Sequence, residues 1–128
     1  MLSGCVAFTV HDEDGKRIAY YGIRMKDIKP VFHKSFNPEL YLYNYHRIDP
    51  ETDVHFTTDM FDCIRIISSG RQSVCNFGLP YLSTEQISLL QRLKYVSFDY
   101  SMKCSHELAS QLTTNLQNYV RILRNGKG

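Results

Sequence analysis

With 128 residues and a net charge of only +2, the chain has room for one well-packed domain and no charge-driven need for a polyanionic partner. It holds no apolar run of membrane-spanning length, and its N-terminus, MLSGCVAFTVHDEDG, reads as a strand and a turn, not a secretory leader. The four cysteines, Cys5, Cys63, Cys75 and Cys104, are widely spaced with no C-x-x-C pair, which argues against a zinc ribbon. Cys63 and Cys75 sit among apolar neighbours and read as buried free thiols, and a reducing, cytoplasmic setting is expected.

In chain order, Val6–Val10 and Arg17–Gly22 are apolar-rich and enclose HDEDGK. Asp14-Gly15 is a hairpin signal, because Gly15 takes a positive φ at little cost. Residues 26–52 contain three of the four prolines and show no clear period. They read as an irregular arm with a short strand near Leu40–Tyr43. The organisation expected is a β-hairpin subdomain with its arm over 1–52 and an α/β unit over 53–128.

The second unit alternates. Strand Val54–Thr57 leads into a helix near Asp59–Ser69, where Met60, Phe61, Ile64 and Ile67 mark an apolar face and Gly70 closes the end. Strand Ser73–Phe77 follows. Ser83-Thr84-Glu85-Gln86 fits a capping box opening a helix through about Arg92, with Ile87, Leu90 and Leu93 inward. After strand Tyr95–Phe98, a last helix is expected from about Lys103 to Leu123, with Leu108, Leu112, Leu116 and Leu123 as its buried stripe. This alternation predicts an α/β fold with a mainly parallel sheet flanked by helices.

Ligands of such sheets bind beyond the carboxyl ends of the strands. Asp59, Asp62 and Asp99 could meet there and offer oxygen to a hard cation such as Mg²⁺. The plainer reading is that Asp59 and Asp62 favour the positive N-terminus of their helix. His11, His33, His55 and His106 have no matched Cys or Asp partner at zinc or nucleophile spacing.

Val54–Arg65 resembles the first motif of Toprim domains, and with it the catalytic core of bacterial DNA primases. There an apolar strand runs into Glu-Gly, two apolar or aromatic residues and Asp. Met60, Phe61 and Asp62 match the end of that motif, while Thr58 and Asp59 stand at the glutamate and glycine positions. Asn76-Phe77-Gly78 and Leu82–Gln86 extend the likeness. Phe98-Asp99-Tyr100-Ser101 falls where the family carries Asp-x-Asp, with Asp99 kept and Ser101 in place of the second acid. Lys103-Cys104-Ser105 stands in place of the family's following Ala-Gly-Arg.

The N-terminal part resembles the segment preceding Toprim in primase-like proteins of mobile elements. Val6–Val10, Asp12–Gly15 and Ala19-Tyr20-Tyr21-Gly22 follow its pattern, with Ile23 at the arginine position and Arg24 one place late. Lys29 and Leu42-Tyr43-Asn44-Tyr45-His46-Arg47 echo later elements, so the likeness covers roughly residues 4–115.

The resemblance implies a Toprim-like fold in which the glutamate serves acid/base or metal chemistry and the Asp-x-Asp pair holds Mg²⁺. Thr58 and Ser101 remove two formal charges from that site, and Mg²⁺ needs anionic compensation to dehydrate. Asp62 and Asp99 are then remnant catalytic positions, and Asp59, Asp62 and Asp99 at most a weak Mg²⁺ site; no other cofactor is expected. Three functions stay open. The first is a catalytically degenerate primase-like protein that binds single-stranded nucleic acid, or a replication or mobile-element partner. Its contacts would come from Arg24, Lys29, Lys34 and Arg47, with Lys26, His46 and the tyrosines at 41, 43 and 45 nearby. The others are a surviving Mg-dependent nucleotidyltransferase or nuclease using Asp59, Asp62 and Asp99, and a protein-interaction scaffold.

Overall fold

The computed structural model describes residues 5–26, 29–32, 36–99, 106–115 and 119–123. Strands β1 (Cys5–His11), β2 (Arg17–Arg24) and β3 (Lys29–Phe32) form an antiparallel sheet in that order. The β1–β2 turn closes where Asp14-Gly15 predicts it. The Asp12 carboxylate accepts from the amides of Asp14 at 3.0 Å and Lys16 at 2.9 Å, and Gly15 sits at φ 88°.

The arm is more ordered than its composition suggests. It contributes β3 and two 3-10 turns, Pro38–Leu40 and Tyr45–Arg47. The expected strand near Leu40–Tyr43 does not form; Tyr43 alone makes an isolated antiparallel bridge to Cys75. Pro38, with Asn37 capping the Glu39 amide at 3.0 Å, starts a 3-10 turn instead. The carbonyls of Pro38 and Tyr41 then accept from the Gln86 side chain, at 2.9 and 3.0 Å, and need no neighbouring strand.

The second half alternates as expected until its end. β4 (Asp53–Thr57), α1 (Met60–Ser68), β5 (Ser73–Cys75), α2 (Thr84–Gln91), β6 (Tyr95–Asp99), α3 (His106–Asn115) and β7 (Tyr119–Leu123) give an all-parallel sheet ordered β5-β4-β6-β7. The capping box on α2 is complete: the Ser83 side chain accepts from the Gln86 amide, and Gln86 Oε1 from the Ser83 amide. β5 stops at Cys75 because Phe77 and Gly78 turn to positive φ, 62° and 81°. The last helix is shorter than predicted. Leu108 and Leu112 are buried in α3, Leu116 lies outside the described residues, and Leu123 belongs to β7. Tyr119-Val120-Arg121-Ile122-Leu123 is β-branched and aromatic enough to pair along β6, leaving that strand paired on both sides.

Two apolar clusters hold the molecule. Val54, Phe56, Val96 and Phe98 on one sheet face pack with Leu90, Leu108 and Leu112 of α2 and α3. On the other face, Met60 and Cys63 of α1 pack with Cys75, Phe77 and the β2 residues Ala19, Tyr21 and Ile23. The inward face of α1 is therefore Met60–Cys63–Ile67. Phe61, predicted inward, is 39% exposed and meets Phe8 of β1 edge-on at 6.3 Å. Cys63 and Cys75 are buried free thiols; burial pushes Cys63 up to about 11 and Cys75 well above its ordinary value, so neither is a thiolate near neutrality. No helix among the described residues is long and apolar enough to cross a membrane.

Candidate nucleic-acid interface

The strand order reverses between β4 and β6, and a crevice of this kind lies at their carboxyl ends. Thr58 and Asp59 follow β4 there, and Asp99 ends β6. Asp59 is the N-cap of α1: one carboxylate oxygen accepts from the Phe61 amide at 2.8 Å and the Asp62 amide at 3.2 Å. Such a cap contributes about 1 kcal/mol to its helix. Asp62, in the first turn, is paired to the Arg65 guanidinium at 2.7 Å. Both acids are thus engaged locally, and Thr58 between them and the strand is neutral. Among the described residues no three His, Cys, Asp or Glu side chains converge as a metal set. Asp99 is placed by its backbone, opposite Leu123 of β7; its side chain, Ser101 and Lys34 lie outside the described residues.

The β5 loop is fastened over this end of the sheet. The Tyr21 hydroxyl of β2 donates to the Phe77 carbonyl at 3.2 Å, and Gly78 faces both that hydroxyl and the Thr58 carbonyl. A Cβ at Gly78 would meet the Thr58 carbonyl at an ordinary contact distance of 3.7 Å, but it would be strained at its positive φ.

A second feature lies on the N-terminal sheet. A groove of about 430 Å³ is lined by Phe8 and His11 of β1, Arg17 of β2, and Tyr43, Asn44, His46 and Arg47 of the arm. The 3-10 turn that carries His46 and Arg47 is locked. Asn44 adopts φ 70°, its side-chain amide donates to the Ser73 carbonyl at 3.1 Å, and its own carbonyl accepts from the Arg47 amide at 3.1 Å. The His11 and His46 rings stack at 4.3 Å with an interplanar angle of 27°. Arg17 lies over the Tyr20 ring at 5.9 Å, and Arg47 is exposed.

No protein-family profile matches the chain, and no curated protein matches it. Solved structures do. A DNA primase domain from Pseudomonas aeruginosa matches with a TM-score of 0.72 at 22% identity, over 98% of this chain and 44% of that one. The DnaG primase catalytic domain bound to ssDNA gives 0.72 at 17% identity, over 98% and 46% of the two chains. The zinc-binding and RNA polymerase domains of the Aquifex aeolicus primase give 0.63 at 24% identity, over 77% and 27%. The fold is primase-like. The chain spans less than half the length of each of these structures.

Within this primase-like fold the predicted cations do not share one place. Lys29 pairs with Arg24 across β3 and β2, whereas Arg47 lies in the groove beside Arg17, at the other end of β2. Arg17 and Arg24 are seven residues apart along a strand, roughly 23 Å. His11 and Arg17 line the groove although no local sequence pattern groups them with it, because their groove partners come from the distant arm. His46 and Arg47, named from the Leu42–Arg47 stretch, line it as well. The tyrosines at 41, 43 and 45 do not share a strand face: Tyr41 and Tyr43 pack on the hairpin cluster, and Tyr45 on the helix side. Burial holds the Tyr43 phenol above its usual range, although Arg47 pulls the other way, so it acts as a neutral ring and hydroxyl.

Proposed function

We propose that this chain is a primase-like unit that binds single-stranded nucleic acid in the groove between β1 and the Tyr45–Arg47 turn, without metal-dependent nucleotidyl transfer of its own. The observation that carries this reading is that Arg17, Arg47, His11, His46, Phe8 and Tyr43 all line one open groove. Cations suit the phosphates of a strand, and aromatic faces suit its unpaired bases. A structure with the same fold is described as bound to ssDNA, which agrees with the reading. The loss of chemistry is supported by Thr58 at the acid position and by the engagement of Asp59 and Asp62 within α1.

The test is fluorescence anisotropy with a labelled oligothymidylate across a salt series. The logarithm of the affinity should fall linearly with the logarithm of salt. In the double variant Arg17→Gln, Arg47→Gln the slope should shrink by about 1.4, the share of two phosphate contacts on a single strand. No binding at low salt would end the proposal.

A further inference from the structure

We propose that the stacking of His46 on His11 makes strand binding in this groove proton-controlled, so that a phosphodiester docking beside Arg47 draws a proton onto His46. The inference rests on the nucleic-acid reading of the groove and adds its regulation.

The geometry is specific. His46 Nδ1 is buried and has no hydrogen-bond partner among the described residues, and the His46 ring lies against the hairpin turn, 4.0 Å from where a side chain at Gly15 would begin. Two rings stacked at 4.3 Å cannot both carry charge without direct repulsion. The charged and titratable groups around them are Asp12 in the turn, Arg17 of β2, and Tyr43 and Arg47 of the arm. Glu13 is paired with Arg92 of the α2 end. The balance is cationic where the groove opens.

Burial, His11 and Arg47 together hold the His46 imidazole below its ordinary value, against the opposing pull of Asp12. In the empty groove His46 is therefore neutral near neutrality. An anion beside Arg47 offsets the repulsion from that guanidinium and raises the imidazole's proton affinity. A group whose bound-state pKa exceeds its free-state pKa gives affinity that grows as pH falls through the bound value and levels off below the free one. The window runs downward from the ordinary imidazole range.

Oligothymidylate affinity should tighten about tenfold between roughly pH 7.5 and pH 5.5, the response of one linked proton. His46→Gln should flatten that profile. Calorimetry on the unaltered protein in two buffers of different ionisation enthalpy should show net proton uptake on binding near about pH 6.5. Binding with no uptake, or a His46→Gln variant with the same pH slope, would overturn the inference and leave the nucleic-acid reading standing. No binding at any pH would overturn both.

Discussion

Replacing Gln86 with alanine should lower the unfolding free energy by about 3–4 kcal/mol, read from urea denaturation followed by circular dichroism. Gln86 is fully buried, yet it is the hub that ties the arm to the α/β half. Its amide nitrogen donates to the carbonyls of Pro38 and Tyr41, and its oxygen accepts from the Ser83 amide. Truncation strands the Tyr41 carbonyl and the Ser83 amide, each costing about 1–3 kcal/mol where water cannot reach it, and leaves the Pro38 carbonyl with the Tyr41 amide as its remaining donor. It also removes half of the capping box that starts α2. A loss under about 1 kcal/mol would mean that solvent enters freely beneath the arm and that Gln86 does not hold it.

The second large effect is expected at Phe77. Its side chain is fully buried between the hairpin and α1, meeting Phe36 edge-on at 5.2 Å and Tyr21 at 5.4 Å. Phe77→Ala should cost about 3–5 kcal/mol, the usual range for emptying a buried ring site. The backbone there sits at φ 62°, a conformation alanine tolerates no better, so no relief of strain offsets the cavity. The variant should also loosen the β5 loop, because the Tyr21 hydroxyl bonds the Phe77 carbonyl. Amide exchange should report this as faster protection loss at Gly78 and Leu79 than across β6. A uniform destabilisation with no local change would contradict that coupling.

Much of the fold was legible because its signals are local. The apolar strand before Asp59, the capping box at Ser83 and Gln86, and the Asp14-Gly15 turn each act within a few residues, and all appear in place. The errors lie where distant partners decide. The arm's carbonyls find their donor in Gln86, more than forty residues on, so no local pattern shows that Leu40–Tyr43 need not be a strand. The final segment carried leucines at helical spacing as well as a β-branched run. Its pairing with β6 settles the matter for Tyr119–Leu123. At the candidate site, the helix-capping role of Asp59 was readable from the residue type at a helix start. The stacking of His11 on His46 was not, since it depends on the hairpin folding against the arm.

The most direct test of the account is oligothymidylate binding measured twice at one ionic strength, in EDTA and in magnesium. If the groove of Arg17, Arg47, His11 and His46 holds the strand, binding in EDTA should be at least as tight as in magnesium. Binding that appears only when magnesium is present would place a metal at the strand-end acids and contradict the account.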